Sequence, residues 1–379
     1  MRACFRFTSL AVLAAAFFMS LPGCGDSDGP KVKRIILLTN GDDPFWDAMR
    51  KGMNKAAEDF DLEGAGLEVF LDKGDFSEEA QINKLKQYAS QSDIAAVAIS
   101  SVDANNRGIA DAMKALREKG VKVITIDSDM DLGKYRDTRF AYLGTNNVIG
   151  GQELGKTARV IKPEGGTYAT FVGLKAVANA KERIGGFAEG AGDKFTEADS
   201  LGDDGDENKA QENVKTSLNK YPNLDTLVGI WSYNAHAIVQ VVKSREIRDK
   251  TTVVVFDAAP AALRDLEKGE IDAMVVQNPY QMGYLGTKLM KAMIEEDHDT
   301  IHELFPAHDV DKKKFSSDDG DIYITELRVV VPDEQSPIKP DMFPSSGSDS
   351  EAAIFDKNTQ FFYYDDFKKW LAERNLEGS

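Results

Sequence analysis

Two cysteines, Cys4 and Cys24, are all that this 379-residue chain contains, and both fall within its first 24 residues. The rest of the chain has no thiol, so no disulfide framework is available and stability must come from packing. Histidine is scarce, at 4, and no His/Cys cluster has zinc-ligand spacing, so neither a metal nor a cofactor is expected. Basic residues are outnumbered, 46 Lys and Arg against 63 Asp and Glu, for a net charge of -17. So acidic a surface repels nucleic acid and anionic lipid and argues against both as partners. The letters G-x-x-x-x-G-K-[ST] occur once, at Gly150–Thr157, but inside "NVIGGQELGKTARVI", which reads as a helix and not as a phosphate-cradling loop between a strand and a helix, so ATP hydrolysis is not expected.

Long apolar runs are almost missing too. The 42% hydrophobic and 29% charged content is ordinary for a soluble protein and too polar for a multispanning one. The one exception, "LAVLAAAFFMSL", follows Arg2 and Arg6 and is too short to span a bilayer but right for a secretory signal. It ends in Leu21-Pro22-Gly23-Cys24, which resembles the bacterial lipobox; the other reading is an ordinary signal peptide with an incidental Cys. The resemblance implies that 1–23 is a lipoprotein signal peptide, Cys24 the lipidation site and 24–32 a tether, which places the protein in the periplasm or cell envelope, anchored to the membrane. Losing Arg2 and Arg6 with the signal takes the charge from -17 to -19.

From residue 33 short apolar runs alternate with amphipathic segments. Strands are readable at "RIILLT", "LEVFLD", "AAVAIS" and "KVITID", ending near residues 39, 72, 100 and 127. These intervals are close to the roughly 30 residues of one strand–helix–strand unit, which predicts a parallel sheet. Phe45, Met49, Met53, Ala56 and Phe60 fall on one helical stripe, as do Ile109, Ala112, Met113 and Leu116. Asp103 and Gly120 read as the polar start and glycine stop of the third helix. A second alternating set follows, from "RFAYLG" to "PYQMGYLGTKLMKAMIEE". The fold class is therefore α/β, two doubly wound parallel-sheet lobes joined by a multi-strand hinge. The expected domains are 33–142 with 278–297 as the first lobe, and 143–277 with 321–332 as the second. Residues 298–320 read as an irregular excursion and 333–379 as an extension of linker composition closing in one helix. Crossings between lobes are expected near 128–142, 257 and 277, with "ELRVVVP" returning to the second lobe.

In open parallel sheets ligands bind beyond the carboxyl ends of the strands. Those ends hold Thr39 and Asp43-Pro44-Phe45-Trp46, then Asp127, Trp231, Asp257 and Gln277. Carboxylates accept paired hydrogen bonds from vicinal hydroxyls, Arg and Gln donate to ring and hydroxyl oxygens, and aromatic faces stack on the C–H face of a sugar. Taken singly, Phe45 and Trp46 fit equally well a helix whose core begins in its first turn. Asp127 and Asp257 fit caps or turns, and Arg183 a solvated helix. Their joint placement favours a pocket.

Several ordered motifs carry a likeness: "DPFWDAMRKGM", "VKVITID", "TNNVIGGQELG", "AKERIGGF", "VVVFDAAP" and "LEKGEIDAMVVQNPYQMG". The chain resembles the periplasmic sugar-binding proteins of ABC transporters, type I fold, ribose-binding-like branch. That resemblance implies no enzymatic activity, and a monomer that captures a sugar or polyol between its lobes and delivers it to an ABC permease. It further implies that Phe45 and Trp46, assisted from the opposite lobe, sandwich the sugar ring, while Asp127, Arg183, Asp257 and Gln277 bind its hydroxyls. Asp43 stands where the family often has Asn, Ser128 where ribose binders carry Arg, and Trp231 near a frequent Asn-Asp pair. Gly205 falls where ribose binders often have an aromatic. These departures make the pocket more acidic and turn the expectation from ribose toward another pentose, hexose or polyol. A sugar-sensing partner of a membrane-bound sensor is a rival reading, and a glycosidase using Asp43, Asp127 and Asp257 a third. The acidic loop at 203–208 could ligate calcium but is read as a solvated turn.

Overall fold

The computed structural model describes residues 32–344 and 353–379; the expected signal peptide, the lipidation site at Cys24 and the tether up to residue 31 lie outside the described residues. The first lobe is built in chain order from β1 (Lys33–Leu38), α1 (Phe45–Asp59), β2 (Leu67–Asp72), α2 (Glu78–Ala89) and β3 (Ile94–Ile99). It continues with α3 (Arg107–Glu118), β4 (Lys122–Ile126), α4 (Leu132–Tyr135) and β5 (Tyr142–Gly144). The second lobe starts with α5 (Asn147–Ile161), β6 (Gly166–Val172), α6 (Ala178–Ala191), β7 (Phe195–Gly202) and α7 (Glu207–Lys220). Then come β8 (Leu224–Gly229), α8 (Asn234–Ser244), β9 (Thr252–Phe256), α9 (Pro260–Glu267) and β10 (Ala273–Val276). The chain returns to the first lobe through α10 (Pro279–Glu295), α11 (His298–Leu304), β11 (His308–Asp309), β12 (Lys314–Phe315) and β13 (Ile322–Ile324). It ends in the second with β14 (Leu327–Val331), β15 (Thr359–Tyr363) and α12 (Tyr364–Ala372).

The first sheet runs β13-β5-β4-β3-β1-β2 and is parallel throughout. The second runs β15-β14-β10-β9-β8-β6-β7, with β14 antiparallel to β10 and every other pair parallel. Strands covered by helices on both faces read as unbroken apolar runs, as in "TVVVF" of β9, where Val253 to Phe256 are fully buried. Each such side chain contributes roughly 1.5–3 kcal/mol by leaving water.

Two close helix pairs fix the elements that carry the site. In the second lobe a Cβ on Gly151 of α5 would lie 2.3 Å from the Arg183 carbonyl oxygen of α6, and one on Gly186 equally close to that of Val148. In the first lobe Gly52 of α1 and Gly283 of α10 bring their helices together in the same way, with Cβ positions 1.9 and 2.1 Å from the Tyr280 and Met49 carbonyls. Backbone thus touches backbone beneath Arg183 and along the helix that starts at Phe45.

Several expectations need correction. The third helix begins at Arg107, because Asn106 accepts the Ile109 N–H at 3.0 Å, while the Asp103 carboxylate is engaged by Asn105. The lobes are crossed at 145–146, 277–278 and 325–326, between β5 and α5, β10 and α10, and β13 and β14. Position 257 is no crossing, since β9, α9 and β10 all stay with the second sheet. The stretch 298–320 is not irregular, for it holds α11 and the β11–β12 ribbon, whose apolar side chains Ile301, Leu304 and Phe305 are buried. Residues 321–332 divide between lobes, β13 adding to the first sheet and β14 to the second. The extension supplies an edge strand, β15, and α12, whose Phe367 is fully buried against the second lobe's core. The closing residues return to the cleft, where Ser379 and Ala258 exchange backbone hydrogen bonds at 3.0 and 2.7 Å and Lys51 of α1 donates to the Asn375 carbonyl.

Candidate functional site

The carboxyl ends of both sheets face one another across a small cavity. Its lining includes Asp43, Phe45, Trp46, Asp127, Arg183, Trp231, Asp257 and Gln277, eight of the nine residues singled out from the sequence. Ser128 is the exception: it is 1% exposed, its hydroxyl has no hydrogen-bond partner among the described residues, and it has no place in the lining. Asn40, Phe76, Asn179 and Ser232 complete the lining and were not anticipated. Asn40 directly follows the end of β1, Ser232 follows Trp231, and Asn179 lies one helical turn before Arg183, a spacing that puts both on one face. Phe76 follows β2, one of the two strand ends in the first four, with that of β3, that supplied no candidate.

Local structure explains each placement. The Asp43 carboxylate accepts the Phe45 N–H at 2.8 Å at the start of α1, where the helix dipole favours negative charge. The same oxygen accepts the Ser232 hydroxyl from the other lobe. Asp127 and Asp257 end β4 and β9 in left-handed backbone, with φ of 61° and 64°, a conformation that Asp tolerates better than most residues. Asp127 accepts Ser100 Oγ at 2.9 Å and, across the cleft, Asn179 Nδ2 at 3.3 Å. Gln277 Nε2 reaches both oxygens of Asp257 at 3.1 Å, and Gln277 Oε1 accepts the Thr145 hydroxyl at 2.7 Å. Two crossings are tied together by that last bond.

Arg183 lies flat on Phe256, its guanidinium carbon 4.0 Å from the ring centroid. Its Nε donates to Asn147 Oδ1 at 2.9 Å and Nη1 to the Ile230 carbonyl at 3.3 Å. The carboxylates of Asp127 and Asp257 stand 3.9 and 3.7 Å away, too far for good hydrogen bonds. Arg183 Nη2 and Trp46 Nε1 are buried with no hydrogen-bond partner among the described residues.

Phe45 and Trp46 do not form a sandwich. Their ring centroids are 4.9 Å apart with planes at 88°, an edge-to-face corner with no room for a sugar between them. Adjacent residues on a helix point in different directions, so neighbouring rings cannot face each other. The parallel aromatic pair is Phe76 with Trp231, one from each lobe, at 5.6 Å and 22°. Trp231 is oriented by its Nε1–H, which donates to Asn179 Oδ1 at 3.1 Å.

Burial raises all three cleft carboxyls. Asp43 is pushed up to about 6, against hydrogen bonds from Ser232 and the Phe45 N–H. Asp257 rises to about 7 although Arg183 and Gln277 oppose the shift, and Asp127 rises for the same reason against Arg183 and Ser100. The cavity is thus lined by one guanidinium and three carboxyls, an arrangement that favours neutral ligands rich in hydroxyl donors. The acidic turn is spent on the protein itself: Asp203 accepts Asn234 Nδ2 at 2.8 Å, Asp204 pairs with Lys209, and Asp206 caps α7.

Residues 35–298 match the periplasmic binding protein domain. The chain belongs to the periplasmic binding protein family. The match stops where α11 begins, so the ribbon, β14, β15 and α12 lie beyond it. The D-allose-binding periplasmic protein of Escherichia coli is 26% identical over 267 residues, 67% of this chain and 82% of that protein. The ribose import binding protein RbsB of Salmonella typhimurium is 22% identical over 294 residues, 76% of this chain and 92% of that one. Among solved structures, an ABC transporter solute-binding protein of Burkholderia graminis in complex with D-arabinose superposes with a TM-score of 0.67 at 24% identity. That likeness covers 82% of this chain and 98% of the other, and extends the family's two-lobed fold to this one.

Proposed function

We propose that the protein is an extracytoplasmic solute-binding lipoprotein that captures one monosaccharide or small polyol between its lobes and hands it to an ABC permease. The observation that carries this reading is the pairing of unsatisfied donors, Arg183 Nη2 and Trp46 Nε1, with raised carboxyls at Asp43, Asp127 and Asp257 around one small cavity. A ring bearing adjacent hydroxyls offers an acceptor and a donor on every carbon and satisfies both sets at once. The names of the allose and ribose relatives point the same way.

Ligand that touches both lobes favours the closed form by its differential contacts, and closure becomes the signal a permease reads. The three crossings are the hinge in this reading. Cys24 is the lipid anchor, which metabolic labelling with a fatty-acid analogue and a Cys24→Ser variant would test. No step of catalysis is assigned to the cleft, and incubation with glycosides should return them unchanged. A thermal-shift screen against pentoses, hexoses and polyols tests the reading, because a ligand bound by the native state alone raises the melting temperature. A shift with at least one monosaccharide is expected, and no shift across the panel would overturn it.

A further inference from the structure

Phe76 sits in the loop after β2, held by a hydrogen bond from its backbone N–H to the Asn40 carbonyl at 2.9 Å. Its backbone is left-handed, at φ 60°, which a bulky side chain adopts only when its surroundings hold it there. The ring lines the cavity and is partly exposed, so it stands between the cavity and solvent. Across the cleft it stacks on Trp231 of the second lobe.

Three glycines clear the space for this pair. A Cβ on Gly41 would come within 2.1 Å of the Phe76 ring, and one on Gly205 of the opposite lobe within 2.6 Å. A Cβ on Gly173 would come within 2.0 Å of the Trp231 ring. Gly205 stands where sequence comparison with ribose binders led one to expect an aromatic. The ring space beside it is filled instead from the other lobe, by Phe76. Separating the lobes would remove both Trp231 and Gly205 from Phe76 while leaving Gly41 in place, since Gly41 and Phe76 share a lobe.

We propose that Phe76 is a latch: by stacking on Trp231 it holds the lobes closed over the ligand and limits the site to a single sugar ring. This rests on the sugar-binding reading above. A second ring linked to the first would leave the cavity through the space that the Phe76 side chain occupies.

The test compares the full chain with Phe76→Ala, Phe76→Leu and Gly205→Ala, the last of which crowds the ring without altering it. Titration calorimetry and stopped-flow release with D-allose, D-ribose, D-arabinose and D-xylose should show about tenfold weaker binding in Phe76→Ala, mostly through faster release. Phe76→Leu should fall between, Gly205→Ala should resemble Phe76→Ala, and Phe76→Ala should gain measurable binding of xylobiose or cellobiose. Small-angle scattering of the sugar-free proteins should give a larger radius of gyration for Phe76→Ala than for wild type. Affinity and release within twofold of wild type, with an unchanged radius, would overturn the latch. If wild type takes up no monosaccharide, the sugar reading fails, and the scattering comparison still decides the latch.

Discussion

Asp127 and Asp257 occupy corresponding corners of opposite lobes. Each follows a buried parallel strand in left-handed backbone, and the two flank one guanidinium, Arg183, at 3.9 and 3.7 Å. Neither ion pair is tight, so the geometry leaves hydrogen-bonding capacity on all three groups, each of them buried. Such an arrangement costs stability unless a guest completes it.

Replacing one carboxylate should therefore separate stability from binding. Asp257→Asn removes a buried acid raised to about 7 and should stabilise the sugar-free protein by about 1–2 kcal/mol at pH 8. The same change should weaken sugar binding by about 2–3 kcal/mol, since a charge-assisted acceptor is lost. Chemical denaturation and calorimetry on one preparation check both directions.

The pH dependence has a definite sign. Asp43 and Asp257 have folded-state values near 6 and 7, above the ordinary carboxyl value of 3.8, so the folded protein holds more protons than the unfolded chain between those limits. Their favourable contribution is fully present below about pH 4 and is lost as pH rises through 6 and then 7. Sugar hydroxyls donate to the ionised carboxylates, so binding should release protons and tighten from pH 5 to pH 8. Calorimetry in buffers of different ionisation enthalpy measures that release directly.

Arg183 is placed by the glycine contact between α5 and α6, which predicts an effect from a residue that touches no ligand. Gly151→Ala puts a Cβ 2.3 Å from the Arg183 carbonyl and must push α6 outward. It should cost about 1–3 kcal/mol of stability and weaken sugar binding in addition, whereas Gly185→Ala, which meets nothing within 4 Å, should do neither. Melting curves and titrations of the two variants decide.

The chain end should matter as packing. A Cβ on Gly378 would lie 2.5 Å from the Ala258 carbonyl, so Gly378→Val should displace the final residues from Ala258 and lower stability by about 1–3 kcal/mol. Sugar preference should stay unchanged, which a binding panel on this variant checks.

The alternation of β and α was legible because strands buried on both faces are written as runs such as "TVVVF", and helices as stripes such as Ile109, Ala112, Met113 and Leu116. Strand ends led to Asp127, Asp257 and Gln277 by the general rule for parallel sheets. Phe76 escaped because it lies four residues past Asp72 in a loop, and its partner is 155 positions away, a pairing no local pattern records. Ser128 came from the family pattern, which has Arg there in ribose binders, and in this chain the side chain after the left-handed turn at Asp127 takes no part in the cavity lining. The edge strand β15 hid in a stretch of linker composition, where five residues, "TQFFY", carry too short a pattern to stand out. The crossing at 145–146 depends on where β5 ends, and strand ends are the least legible part of any sequence.

Isothermal titration of wild type and Arg183→Gln with D-allose, D-ribose, D-arabinose and D-xylose tests the central claim most directly. One-to-one binding of at least one of these sugars, abolished in the variant while its melting temperature stays within a few degrees, is the predicted result. Absence of binding to every sugar, or equal affinity in both proteins, would contradict the account.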